Sequence, residues 1–116
     1  MAVKGTGILQ ARDGARYVLR LPVTYAWKDE TNTWQRRAGR TRDISTRSAF
    51  IFASEPPPFG TALKIEAYLP WDPDRSPASI FGQGRVVRAE PRRELGARGF
   101  AVGKLRLVLR RGEHLV

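Results

Sequence analysis

The sequence predicts an all-β protein of five or six short strands, closed into a small antiparallel barrel or sandwich. Two observations carry that expectation. Apolar residues alternate with polar ones at a period of two along most of the chain, and turn-forming Gly, Pro, Asp and Asn separate the alternating runs. No segment offers the 3.6-residue apolar periodicity of a long amphipathic helix.

The elements follow in order. In Leu19 to Trp27 the large apolar residues Leu19, Leu21, Val23, Tyr25 and Trp27 fall on odd positions, the pattern of a half-buried strand. Pro22 belongs to the other face and donates no ladder hydrogen bond, so it suggests an edge or a bulge. The polar KDETNT stretch, residues 28–33, suits a hairpin connection, and Trp34 to Thr41 returns as an arginine-rich strand. TRDISTRSAF, residues 41–50, then leads from a polar turn into the apolar strand Ala49-Phe50-Ile51-Phe52. That strand stops at Glu55 and three prolines.

Leu63, Ile65, Ala67 and Leu69 mark one face of the strand that follows Gly60. WDPDRSP, residues 71–77, is a turn-rich loop. Ile80 to Ala89 is a strand in which Gly82 and Gly84 permit a bulge or sharp curvature. Phe100-Ala101-Val102 is a further strand. Lys104 to Leu109 alternates as a strand does, although Leu105, Val108 and Leu109 would also line one helical face. One domain is expected over 1–116, with the barrel at about 16–109 between a flexible N-terminal arm and a C-terminal tail.

Composition narrows the chemistry. There is no cysteine, and the one histidine is His114, near the end of the sequence, so no thiolate, cysteine-bound zinc or Ser-His-Asp arrangement is expected. Asp72 and Asp74 sit in a proline-rich loop as turn formers. No enzyme, metal site or cofactor is expected. Twenty-one Lys and Arg against eleven Asp and Glu give a net charge of +10, which attracts phosphates, polyanions or acidic proteins. Most of the cations are arginine, whose planar fork suits phosphates and base edges. The first residues lack a signal-peptide pattern and no run is long enough for a membrane-spanning helix, so a cytoplasmic protein without membrane insertion is expected.

Arg16 and Arg20, four residues apart on an extended chain, belong to one face roughly 13 Å apart. That face is opposite to Leu19, Leu21 and Val23. Further on, Asp43 stands among Arg40, Arg42 and Arg47, with Ser45 two residues later. Arg16-x-x-x-Arg20 followed by Asp43-x-Ser45 resembles the signature of the PilZ family of bacterial cyclic di-GMP receptors, RxxxR and then (D/N)xSxxG. Gly84-Arg85-Val86-Val87-Arg88 and Gly99 to Val102 resemble that family's last two strands. The likeness covers about residues 12 to 108.

The resemblance implies a six-stranded antiparallel barrel that binds cyclic di-GMP, a second messenger, on its outer surface. Arg16 and Arg20 would grip phosphate and guanine, Asp43 would accept from the guanine N–H groups, and Ser45 would add a hydroxyl. The family glycine falls on Ser48. If that position needs a positive φ, serine costs on the order of 1–2 kcal/mol; if the ligand approaches closely there, the hydroxymethyl group crowds it or bonds to it. The implied protein is a signalling effector that changes conformation on binding and acts through a protein partner in motility, adhesion or secretion. A PilZ-like interaction module without the nucleotide is the alternative. A basic nucleic-acid-binding barrel ranks below both, because aromatic and basic residues are not interleaved except at Trp34 near Arg36 and Arg37.

Overall fold

The computed structural model describes residues 17–70, 73–90 and 98–111, all of them in strands, turns and loops, with no helix. Seven strands form: β1 (Tyr17–Val18), β2 (Pro22–Lys28), β3 (Trp34–Ile44), β4 (Ala49–Phe52), β5 (Ala62–Tyr68), β6 (Ala78–Glu90) and β7 (Gly99–Arg111). Every pairing is antiparallel. The order β3-β2-β5-β6-β7-β4 returns to β3 through the β3–β4 pairing, which closes a six-stranded barrel and leaves β1 as an added strand. The barrel alternative is therefore the correct one, and closure removes the edges that a sandwich would leave.

The odd residues of β2 face inward as the alternation predicts. Leu21, Val23, Tyr25 and Trp27 join Ile51, Ile65, Ile80, Val86, Phe100 and Val102 in one buried core. Tyr25 lies at its centre, stacked on Trp27 at 5.9 Å and edge-on to Phe100 at 5.0 Å. Its hydroxyl donates to the Glu55 carbonyl at 3.0 Å, which satisfies the polar tip of a buried ring. Burial pushes the Tyr25 pKa up to about 12. Arg37 lies 5.7 Å from the Trp27 ring and pairs with Glu55, capping this end of the core.

Pro22 marks neither an edge nor a bulge: it faces outward at the first position of β2, paired with Arg40 of β3, and its missing donor is tolerated because it lies beyond the Val23–Ala26 stretch that pairs with β5. β6 is continuous past its glycines, and the ambiguous end of the chain is strand: Phe100 to Val102 and Lys104 to Leu109 are one element. The pair is irregular twice. Gly84 stands opposite two β7 residues, one of them Lys104 at φ 51°, and Val87 is an extra residue on β6 between Val86 and Arg88.

Leu19 to Leu21 do not pair as a regular strand. Thr41, fully buried, bridges this gap: its N–H donates to the Leu21 carbonyl at 2.9 Å, and its hydroxyl accepts from the Leu21 N–H at 2.9 Å. The same hydroxyl donates to the Leu19 carbonyl. Replacing Thr41 with the isosteric valine leaves both backbone groups without that partner, so Thr41→Val is expected to destabilise by about 1–3 kcal/mol, read as a lower midpoint in urea unfolding.

The β2–β3 hairpin is organised by Asp29. Its carboxylate accepts from the Thr31 hydroxyl at 2.7 Å, the Thr33 N–H at 3.0 Å, the Gln35 amide at 2.8 Å and the Thr31 N–H at 2.9 Å. These bonds, the Thr31 hydroxyl foremost, lower its pKa from 3.8 to about 2. A depressed carboxylate stabilises the fold fully above its unfolded value of 3.8 and loses that contribution as pH falls through about 2. Carboxyl-carbon NMR titration is expected to place the Asp29 midpoint near 2. In Asp29→Asn the low-pH fall in hairpin amide protection should diminish.

Candidate nucleotide-binding face

The outer face around the β3–β4 turn is shaped by one extra residue. In the β3–β4 ladder Thr41 pairs with Ile51 and Asp43 with Phe50, so Arg42 has no partner of its own and forms a bulge. Thr41 points inward. Regular alternation would turn Arg42 out and Asp43 in; the bulge turns both out. That is why neighbouring residues form an ion pair, with Arg42 Nε 2.6 Å from Asp43 Oδ2. Asp43 is only 7% exposed, and the Arg42 guanidinium lies 4.0 Å from the Phe50 ring.

The second bulge, at Val87, does the same for Arg88. Val86 is in the core, so an unbroken strand would aim Arg88 there as well; instead Arg88 is exposed and 5.9 Å from the Phe50 ring. Registers across five strands then line up Val18, Asp43, Phe50, Ala101 and Arg88 in one row. At about 4.8 Å per strand, Asp43 and Arg88 are roughly 14 Å apart along it. Phe50 packs on Gly99, where a Cβ would come within 2.5 Å of the ring. It also meets Phe52 edge-on at 5.8 Å. Arg20, in the gap between β1 and β2, is exposed and 5.8 Å from the Phe52 ring.

The turn itself is built by two hydroxyls. Ser45 N–H donates to the Ser48 carbonyl at 2.8 Å, Ser48 N–H donates to Ser45 Oγ at 3.1 Å, and the two Oγ atoms are 2.9 Å apart. The Arg47 carbonyl accepts from Leu105 N–H at 3.0 Å, tying the turn to the β7 bulge. Thr46 Oγ1 is buried with no hydrogen-bond partner among the described residues.

Of the residues expected from the sequence, Asp43, Ser45 and Ser48 lie at this turn and Arg20 beside Phe52 at the other end of β4; Arg16 lies outside the described residues, as do Asp72 and His114. Arg20 faces outward, as its parity requires. Ser48 does not need a positive φ: the non-glycine residues with one, among those described, are Asn32 and Lys104. Serine is therefore not strained at the position of the family glycine, and its side chain contributes to the turn. Sequence reasoning missed Arg42 and Arg88 as members of the face, with Phe50 and Phe52 as its aromatic floor. The signal that could have found them is an arginine on each side of an aromatic-rich strand, but only the bulges set their direction.

No protein-family model matches the chain, and neither a curated protein nor a solved structure is significantly similar to it.

Ser48→Gly removes the hydroxyl pair and loosens the unfolded chain without relieving strain. It is expected to destabilise by about 0.5–1 kcal/mol, measured as a fall in the thermal midpoint.

Proposed function

We propose that the protein is a non-enzymatic, single-domain receptor for cyclic di-GMP, similar to PilZ domains, that signals through a protein partner. The observation that carries this reading is the outward row in which two bulges set Asp43 and Arg88 on either side of Phe50, with Arg20 beside it. A guanine nucleotide asks for that combination. Arginine reaches the O6 and N7 acceptors of guanine or a phosphate, a carboxylate accepts from the N1–H and exocyclic amine, and aromatic and guanidinium planes stack on the base.

In this reading Arg20 and Arg16 hold phosphate and guanine, Asp43 reads the base edge, and Ser45 and Ser48 shape the turn. Arg88 supplies a further cation from the opposite side. The Arg42–Asp43 pair must open for the base to reach the carboxylate, since Asp43 is largely covered. Binding then opens that pair beside the already attached Arg20 segment and alters the surface that a partner meets. That same covered pair favours the second reading, an interaction module that carries no nucleotide.

Calorimetry with cyclic di-GMP separates the two. Binding is expected, with Arg20→Ala and Asp43→Ala each weakening it about tenfold to a hundredfold, the scale of a lost charge-assisted hydrogen bond. Ser48→Gly should leave affinity level or reduce it. No heat at high micromolar ligand would overturn the receptor reading and leave the interaction module.

A further inference from the structure

The barrel carries a second basic face, remote in register from the Asp43 row. Ladder registers align Arg36, Ala26, Lys64, Gln83 and Arg106 across β3, β2, β5, β6 and β7, all at outward positions. Beside this row stands Trp34, half exposed, with Lys28 Nζ 5.6 Å and Lys64 Nζ 5.2 Å from its ring. Two clefts of about 340 and 330 Å³ open here, and Trp34 and Lys64 line both. The first has Ala26 and Arg36 in its lining, and the second has Gly84, Arg85, Lys104 and Arg106. Aromatic and basic residues are thus interleaved after all, from strands far apart in sequence.

We propose that this face binds single-stranded nucleic acid, with bases in the two clefts against Trp34 and phosphates on the flanking cations. A large aromatic ring half in water is a stacking surface that any base can use. Lysine heads are flexible point charges, so a base can displace them from the ring while they turn to the adjoining phosphates. The acid in the clefts, Glu66, is already engaged: it accepts from Ser79 Oγ at 2.6 Å and from the Tyr68 hydroxyl at 3.4 Å. Asp29, on the nearby hairpin, is committed to its own turn. Arg36, Lys64, Arg85, Lys104 and Arg106 outnumber the Glu66 carboxylate in the lining, which is net positive, and the recessed clefts suit unpaired bases better than the closed stack of a duplex. An acidic protein segment would use the charges but would have no need of the ring between two clefts.

Fluorescence anisotropy with labelled oligo-dT and oligo-rU of about 12 nucleotides, the scale of one barrel's site, tests this on the whole chain. Binding to one or both is expected, and preference between them identifies the strand type. Affinity should fall with salt. Trp34→Ala should weaken binding about tenfold, and Lys64→Glu with Arg106→Glu should weaken it further and reduce the logarithmic salt slope by about 1.4. Arg20→Ala should leave it level, and thermal melts confirm that each variant folds. Three results would each overturn the proposal: no binding at low salt, an unchanged affinity in Trp34→Ala, or polyglutamate binding as tightly as oligo-dT with the same sensitivity to Trp34→Ala.

Discussion

An antiparallel strand can turn a side chain from core to solvent only by gaining or losing a residue, and Arg42 is that residue in β3. Upstream of it, Gly39 and Thr41 face inward and the core seam is continuous. Downstream, Ile44 resumes the inward position opposite Ala49. Between them a carboxylate that strict alternation would bury opposite Ala49 stands outside, paired with the arginine that displaced it. Burying that charge unpaired in the barrel would cost several kcal/mol. The bulge thus keeps the core apolar and creates the polar face in one step.

Much of the architecture was legible in the chain. The odd-position run from Leu21 to Trp27 fixed the inward face of β2, whereas Pro22, expected at an edge or a bulge, pairs with Arg40 in an interior strand. The same rule repeated indicated five or six strands in a barrel or a sandwich, and the six-stranded barrel in particular was what the PilZ resemblance implied. What the period-two rule could not supply was the exceptions to it. Asp43 and Arg88 lie one residue past a bulge, and nothing in TRDIS or GRVVR announces which residue is the extra one. The geometry at Ser48 was equally hidden, because glycine and serine both serve a turn whose φ stays negative.

The candidate sites were legible to different depths. Arg20 and Asp43 were found because a motif put them together, and β1–β3 pairing places Val18 directly opposite Asp43. The Trp34 face was not found, because its parts come from β2, β3, β5, β6 and β7 and only the registers join them. Charge totals indicated that anions would be attracted. They carried no information on whether the cations share a face, which is a property of closure and not of composition.

The barrel is complete without β1, which holds to β3 through two residue pairs and the Thr41 bridge. Arg20 therefore rides on a segment whose loss or exchange leaves the closed hydrogen-bond circuit intact. Mutation can recolour its outward positions, Val18 and Arg20, while Leu19, Leu21 and Thr41 hold the segment to the core. A change of recognition at Arg20 therefore spares the strands that hold the barrel together, whereas a change at Asp43 or Arg88 acts on those strands directly.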